Sequence, residues 1–261
     1  MLLGKNIVVT GAASGIGQRT AELAQSMGAN VFSVDRNTPA NPVGHFTAAD
    51  LGSQDGVNAL IAALPDGIDA LANVAGLSGT PGKVPTIAVN FLGLRALSIG
   101  LAPKMSQYGS VINVASIAGF GWRQNLDRTR KAIDVTGFPD PAQFCDDHNI
   151  QDETSYPDSK ELLLMWTFRA AHDPIFKERN IRVNAVSPGP VETPILLQFR
   201  DVLGDERVNS DIDRVGRAGT ANDIAPSILF LASDGARWVN GTNIACDGGL
   251  EASVLSEAMQ F

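Results

Sequence analysis

The stretch from Ile7 to Gly17 reads Ile-Val-Val-Thr-Gly-Ala-Ala-Ser-Gly-Ile-Gly. Ile7, Val8 and Val9 are a short β-branched run, the composition of a strand buried on both faces. Gly11, Gly15 and Gly17 follow at a turn, with Ser14 and Ile16 among them, and Gln18 to Met27 spaces its apolar residues as a helix does. A glycine-rich turn between a buried strand and a helix lets backbone N–H groups approach a pyrophosphate at the positive end of the helix dipole. The first gap of this Gly-x-x-x-Gly-x-Gly is one residue longer than in the commonest dinucleotide fingerprint. In a chain with 26 glycines, the position of the motif says more than its letters.

Strand and helix signals alternate along most of the remaining chain. Asn30 to Asp35 is expected as a second strand ending in an acid, and His45 to Asp50 as a third. Ser53 is placed to cap a helix running to Leu64, which Pro65-Asp66-Gly67 closes. Ile68 to Ala75, Ser110 to Ala115, Ile181 to Ser187 and Asn243 to Cys246 supply further strands, and Thr86 to Met105 a long apolar helix. Thr220 and Asp223 make a capping-box-like start for a helix through Ala232. Strands separated by helices imply right-handed crossovers. The expected fold is therefore α/β, a doubly wound and mostly parallel sheet of about seven strands with helices on both faces. Residues 1–261 are read as one dinucleotide-binding domain.

Gly119 to Thr154 breaks this rhythm. It mixes charges, among them Arg123, Arg128, Asp146 and Glu153, with Trp122, Phe138, Phe144 and two prolines. A connection of this length has helices of its own or covers a site. Helices are expected near Asn125 to Val135 and Pro141 to His148. Cys145, Asp146, Asp147 and His148 match no familiar zinc spacing, so they read as a solvated helix end and no metal is expected.

Composition narrows the field. A net charge of −8 leaves no basic stripe to neutralise phosphates, so nucleic acid is not an expected partner. Cys145 and Cys246 are the only cysteines, which suits incidental thiols in a reducing compartment better than a disulfide. No signal-peptide pattern precedes the first strand and no apolar run approaches membrane-spanning length. A cytoplasmic protein with no membrane partner is expected.

In a doubly wound sheet, ligands bind outside the carboxyl ends of the strands, and several polar residues fall there. Asp35 lies 18 residues past Gly17, where an acid accepts hydrogen bonds from ribose hydroxyls and repels the 2′-phosphate of NADP. NAD is the expected cofactor. Arg36 beside it allows a second reading, since a guanidinium pairs with such a phosphate or stacks on adenine. Asp50 and Leu51 are candidates to hold the adenine. Asn73, Ala75 and Gly76 end the fourth strand; Asn73 either touches the cofactor or ties neighbouring strands through its amide. Asn90, inside an apolar helix, needs a polar partner and points to a structural water or a relay. Ser116 stands just past the fifth strand. Tyr156 and Lys160, at i and i+4, share one helical face and set the ammonium beside the phenol. A tyrosine acting as a base near neutrality needs its ordinary pKa of about 10 lowered by roughly two to three units. Lys160 and the positive ring of an oxidised nicotinamide are the charges available, with Ser116 orienting the substrate oxygen.

Thr10-Gly-Ala-Ala-Ser-Gly-Ile-Gly17, Asn73-Val-Ala-Gly76, Asn90, Ser116, Tyr156-Pro-Asp-Ser-Lys160 and Ser187-Pro-Gly-Pro-Val-Glu-Thr193 stand in the order found in the short-chain dehydrogenase/reductase family, which the chain resembles up to Asp247-Gly-Gly249. The resemblance implies a Rossmann-type fold, catalysis by Asn90, Ser116, Tyr156 and Lys160, and a nicotinamide lined by Pro188, Gly189, Val191 and Thr193. It implies that Asn90 holds a water passing the proton onward to Lys160. Two features depart from the pattern. Asn73-Val74 replaces the commoner Asn-Asn, and Ser116 and Tyr156 are 40 positions apart, where compact relatives use a short connection. An insertion at this place resembles the branch containing bacterial coniferyl alcohol and 3α-hydroxysteroid dehydrogenases. It implies a homodimer in place of the usual tetramer, because the added segment lies where helices normally associate.

Ile195, Leu196, Leu197, Phe199 and Leu203 follow the cofactor loop and are expected to line a hydrophobic substrate pocket with Ser116, Ile117, Trp122 and Tyr156. Trp122 and Phe138 equally suit burial of the insertion's own face. The expected activity is interconversion of a ring-bearing alcohol and its carbonyl product with NAD. The alternatives are an NADPH-dependent carbonyl reductase on the same fold and a dinucleotide sensor without catalysis.

Overall fold

The computed structural model describes residues 2–260, and the side chains of 201–203 lie outside the described residues, Leu203 with them. Among the described residues there are seven strands: β1 (Asn6–Thr10), β2 (Asn30–Asp35), β3 (His45–Ala48), β4 (Ile68–Asn73), β5 (Met105–Val114), β6 (Arg182–Pro188) and β7 (Asn243–Cys246). They pair in parallel throughout, in the order β3-β2-β1-β4-β5-β6-β7. The chain steps outward from β1 to β3 and then returns to build the other half from β4. That reversal opens a crevice at the carboxyl ends of β1 and β4, the place where such sheets bind ligands.

The helices are α1 (Gly15–Ser26), α2 (Gln54–Ala63), α3 (Lys83–Ile87), α4 (Leu94–Leu101), α5 (Leu126–Asp134), α6 (Pro141–Asp147) and α7 (Ser155–Ala170). After them come α8 (Pro174–Lys177), α9 (Pro194–Leu203), α10 (Asp205–Val215), α11 (Ala221–Ala232) and α12 (Leu250–Met259). Alternate strand residues feed two cores, as the period of two in a strand requires. Ile7, Val9, Ala70, Ala72, Ile112 and Val186 pack with residues of α1 and α11, while Val8, Leu71, Val111 and Val183 pack with those of α2, α4 and α7. Two expected caps are in place. Ser53 Oγ accepts the Gly56 N–H at 3.1 Å, and the Thr220 N–H donates to Asp223 Oδ2 at 2.7 Å.

The apolar helix expected from Thr86 is longer, and it is interrupted. α3 passes through a π-helical turn, Ala88–Gly93, into α4 and a short 3₁₀ turn ending at Lys104. By length and composition, Lys83–Lys104 is apolar enough to cross a membrane, contrary to expectation. Phe91, Leu92, Leu94, Leu97 and Leu101 are all fully buried, so its apolar surface is spent on the core.

The insertion carries both anticipated helices, α5 and α6, and a 3₁₀ run at Ile117–Arg123. It is fastened to the body at several points. The buried Arg95 donates through Nη1 to the Val135 carbonyl at 2.7 Å and through Nη2 to the Gly137 carbonyl at 2.6 Å. Lys83 Nζ donates to Asp146 at 2.8 Å, and Phe138 and Phe144 pack into the core beneath. Among the described residues no cluster of His, Cys, Asp and Glu is arranged to hold a metal, and both cysteines are free.

Candidate active site

A cleft of about 380 Å³ opens at the crevice. Its floor is the glycine turn. A Cβ at Gly17 would stand 2.1 Å from the Gly11 carbonyl oxygen, and one at Gly11, where φ is +70°, would stand 2.8 Å from Ala75 Cα. Strand end, helix start and the end of β4 therefore meet more closely than any side chain allows. Ser14 precedes α1 without capping it through its side chain, so the helix presents its first N–H groups to the cleft. A turn with this shape and polarity fits the pyrophosphate of a dinucleotide.

Asp35 is held at the far end by both carboxylate oxygens. Oδ2 accepts the Ala13 N–H at 3.0 Å and Oδ1 accepts the Asn37 N–H at 2.8 Å, which fixes the group facing the cleft. Arg36, Asp50, Leu51, Ala75 and Gly76 line the same end, and Pro188, Gly189, Val191 and Thr193 the other. Gly11, Ser14, Gly15, Ile16 and Gly17 complete the wall. Asn73 is the exception. It is fully buried behind the strand end, donating to Ser98 Oγ at 2.8 Å and Asn113 Oδ1 at 2.9 Å. Its amide ties β4 to β5, and of the two readings the strand tie is the one realised.

Ser116, Tyr156 and Lys160 converge in the middle of the cleft. Ser116 Oγ accepts the Ala118 N–H at 3.1 Å and borders the same cleft as the Tyr156 phenol. Lys160 Nζ donates to the Val114 carbonyl at 2.9 Å and lies 5.6 Å from the centre of the Tyr156 ring. Burial pushes the Tyr156 phenol up to about 12, with Ser116 acting in the opposite direction, and brings the Lys160 ammonium down to about 8. Lys160 thus remains charged at neutrality, though desolvated, and its field on the phenol is poorly screened.

Asn90 stands one layer back, at the π-helical turn. Its Oδ1 accepts the Leu77 N–H at 2.7 Å, while Nδ2 donates to the Leu77 carbonyl at 2.9 Å and to Ser159 Oγ at 3.1 Å. A widened helical turn of this kind often marks a functional position. Here it brings one amide against both the loop after β4 and the helix carrying Tyr156. A Cβ on Gly76 would approach Asn90 Oδ1 to 3.4 Å and Lys160 Nζ to 3.6 Å, so the two polar groups border one space.

The substrate side matches expectation only in part. Ile195 and Phe199 line the cleft, and the Phe199 ring sits 4.6 Å from that of Tyr156. Leu196 turns inward and is buried, whereas Leu197 faces solvent. Trp122 packs against Phe168 with tilted rings 5.2 Å apart and, with Ile117, lines a separate cavity of about 210 Å³ that touches the main cleft at Ser116. Phe138 is taken up by the core. Both insertion aromatics lie outside the main cleft, where the 3₁₀ run and α5 pack on α7 and α6 packs on α3. Sequence reasoning missed Leu77 and Gln198, which also line the cleft. Gln198 follows Ile195 at i+3 on α9, a helical spacing that could have revealed it.

Lys160 carries a testable linkage. Its pKa in the folded state, about 8, lies below the 10.5 of the free side chain, so between these values the unfolded chain binds more protons. The stability contributed through this group therefore rises as pH climbs through that window. Replacing Lys160 by Met removes the rise. The unfolding free energy of Lys160→Met relative to the native protein is expected to fall by about 2 kcal/mol from pH 7 to pH 10. Urea melts at the two pH values measure this, and a difference independent of pH would show that Lys160 is not desolvated.

Sheet order, glycine floor and the Ser116, Tyr156, Lys160 constellation define an oxidoreductase of the short-chain dehydrogenase type. A short chain dehydrogenase family model matches residues 5–126 and an Enoyl-(Acyl carrier protein) reductase model matches residues 143–251; the gap between them falls inside the insertion. The chain is 38% identical over 254 residues to coniferyl-alcohol dehydrogenase of Pseudomonas sp. (strain HR199 / DSM 7063), covering 97% of this chain and 99% of that one. It belongs to the short-chain dehydrogenase/reductase family. It is also 26% identical over 253 residues to 3-alpha-hydroxysteroid dehydrogenase/carbonyl reductase of Comamonas testosteroni, covering 94% of this chain and 96% of that one. Among solved structures, the 3-alpha-hydroxysteroid dehydrogenase of Pseudomonas sp. B-0831 complexed with NADH superposes with a TM-score of 0.83 at 29% identity, covering 98% of this chain and 100% of that one.

Proposed function

We propose that this protein is an NAD-dependent dehydrogenase interconverting a hydrophobic, ring-bearing alcohol and its aldehyde or ketone. A coniferyl-type aromatic alcohol is the first candidate and a 3-hydroxysteroid the second. The observation that carries the cofactor choice is Asp35. With each oxygen held by a backbone N–H, the carboxylate is fixed where ribose hydroxyls would meet it. A 2′-phosphate there would face a fixed negative charge. Arg36 is the feature that keeps NADPH-dependent reduction as the second reading.

The bound nicotinamide dinucleotide supplies the hydride acceptor and, in its oxidised form, positive charge beside the phenol. The chain's own residues manage the proton. Tyr156 takes the proton of the alcohol, Ser116 orients the alcohol oxygen and stabilises charge developing on it, and Lys160 draws the phenol toward ionisation. Asn90 holds the loop after β4 against the Tyr156 helix and offers its remaining Oδ1 lone pair to a water leading to Lys160. The walls favour an apolar ring, with Leu77, Ile195 and Phe199 beside Tyr156. Among the described residues lining the cleft, Arg36 and Lys160 are the basic ones, so no clamp for a substrate carboxylate or phosphate accompanies the apolar wall. Two free thiols suit a reducing compartment such as the cytoplasm.

Initial rates with NAD and NADP, on coniferyl alcohol, a 3-hydroxysteroid and cyclopentanol side by side, test both halves of the proposal. kcat/KM with NAD is expected to exceed that with NADP by about 100-fold, and Asp35→Ser to narrow the ratio at least about tenfold. A native preference for NADP would transfer the assignment to the reductase.

A further inference from the structure

α9 offers four residues to the cleft, Pro194, Ile195, Gln198 and Phe199, and Gln198 is the polar one. It reaches across the opening to the loop after β4, where the buried Ser78 hydroxyl donates to Gln198 Oε1 at 2.7 Å. Ser78 is itself held. Its Oγ accepts the Thr80 N–H at 3.3 Å and lies 2.8 Å from the Thr80 hydroxyl. A serine hydroxyl has two acceptor sites and one proton. In the structure the Ser78 proton is directed at the Gln198 carbonyl, which leaves Ser78 to accept from both Thr80 groups. In this arrangement the Gln198 NH₂ is turned away from Ser78. Among the described residues, that nitrogen has no hydrogen-bond partner.

We propose that Gln198 determines specificity by donating from this oriented amide to an oxygen carried on the substrate's ring, remote from the carbinol that Tyr156 deprotonates. Resting on the ring-alcohol reading above, the assignment adds which ring is preferred. Ile195 and Phe199 flank Gln198 and accept any flat apolar group, so they cannot tell an oxygenated ring from a bare one. An amide N–H can. Ser78 is the positioning residue, because an amide free to rotate loses part of its preference for an acceptor.

Coniferyl alcohol and cinnamyl alcohol share the reacting allylic carbinol, but only the first carries a hydroxyl and a methoxy group on the ring. Gln198→Met keeps the length of the side chain and removes the amide. It is expected to raise KM for coniferyl alcohol roughly tenfold, the loss of about one hydrogen bond, while KM for cinnamyl alcohol stays within about twofold and kcat is little changed for both. Ser78→Ala should give a smaller loss of the same kind. Calorimetric dissociation constants for coniferaldehyde and cinnamaldehyde, with NADH present, should show the same split without turnover. Equal losses on both ligands, or none on either, would overturn the role of Gln198 while leaving the dehydrogenase reading intact. A native protein that binds and oxidises neither alcohol would overturn both.

Discussion

Tyr156→Phe is expected to lower turnover by about 10³-fold or more while leaving NAD affinity within about twofold. The substitution removes one oxygen and keeps the ring. The phenyl group left behind would retain the packing against Phe199, whose ring lies 4.6 Å away, and the Cβ that faces Gly79. Ser116 keeps its bond from the Ala118 N–H, and Lys160 its bond to the Val114 carbonyl, so neither polar group is stranded. What disappears is the hydroxyl proposed above to accept the alcohol proton. Steady-state rates and a fluorescence titration with NADH separate the two effects. Turnover surviving in the variant would remove Tyr156 from the mechanism, whereas parallel loss of cofactor binding would mean the ring had a structural task instead.

The same residues set the sign of the pH dependence. Burial holds the free protein's phenol near 12, so alcohol oxidation, which consumes the phenolate, should rise with pH until the ionised form predominates. Lys160 counteracts this through its positive charge, half of which is gone by about pH 8. The rise should therefore flatten on the alkaline side, and in Tyr156→Phe the residual rate should show no such rise.

Legibility in the sequence tracked how strongly a local pattern was coupled to burial. β2 and β7 fall where β-branched and apolar residues placed them, from Asn30 to Asp35 and from Asn243 to Cys246. β5 begins at Met105, before the anticipated Ser110, because its polar start includes Tyr108 at φ +63° and a register irregularity against β4. No alternation survives such a kink. α10 and α12 were not anticipated, since Asp205 to Val215 is mostly charged and, past the buried Leu250, the large apolar residues Val254, Leu255 and Met259 of α12 stay exposed. Within the site, residues defined by a backbone requirement were readable: glycines at Gly11 and Gly17, an acid closing β2, Tyr and Lys one turn apart. Asn73 was not, because an amide at a strand end serves a ligand or a neighbouring strand equally well, and only the positions of Ser98 and Asn113 decide. Trp122 was not, because its partner Phe168 lies on a helix 46 positions later.

The insertion's charges were the least legible of all, and they carry the second large effect. Nothing in the sequence assigns a partner to Arg128 of α5, yet its Nη2 donates to Asp158 Oδ1 at 2.5 Å and to Glu161 Oε2 at 3.2 Å. Both acids lie on α7 among the residues of Tyr156 and Lys160, and both are buried. Thr154 Oγ1 donates to Asp158 at 2.7 Å, and Asn125 Nδ2 to Glu161 at 2.9 Å, but among the described residues Arg128 is the one cation paired with either acid. Removing one partner of a buried ion pair strands the other charge, at a cost of about 3–5 kcal/mol. Arg128→Met is expected to destabilise the protein by about that much, as read from urea unfolding at pH 8. Burial already holds the Glu161 carboxyl above its ordinary value, with Asn125 and Arg128 opposing. Without Arg128 it rises further. A carboxyl raised in the folded state binds a proton that the unfolded chain has released, so its contribution to stability is present at low pH and lost as pH climbs through the folded value. The deficit of Arg128→Met should accordingly be smaller at pH 5 than at pH 8, and Glu161→Gln added to it should recover part of the loss by leaving an amide where a bare charge would be. A deficit below about 1 kcal/mol at both pH values would mean that water reaches the two acids and that this face of α7 is not sealed by the insertion.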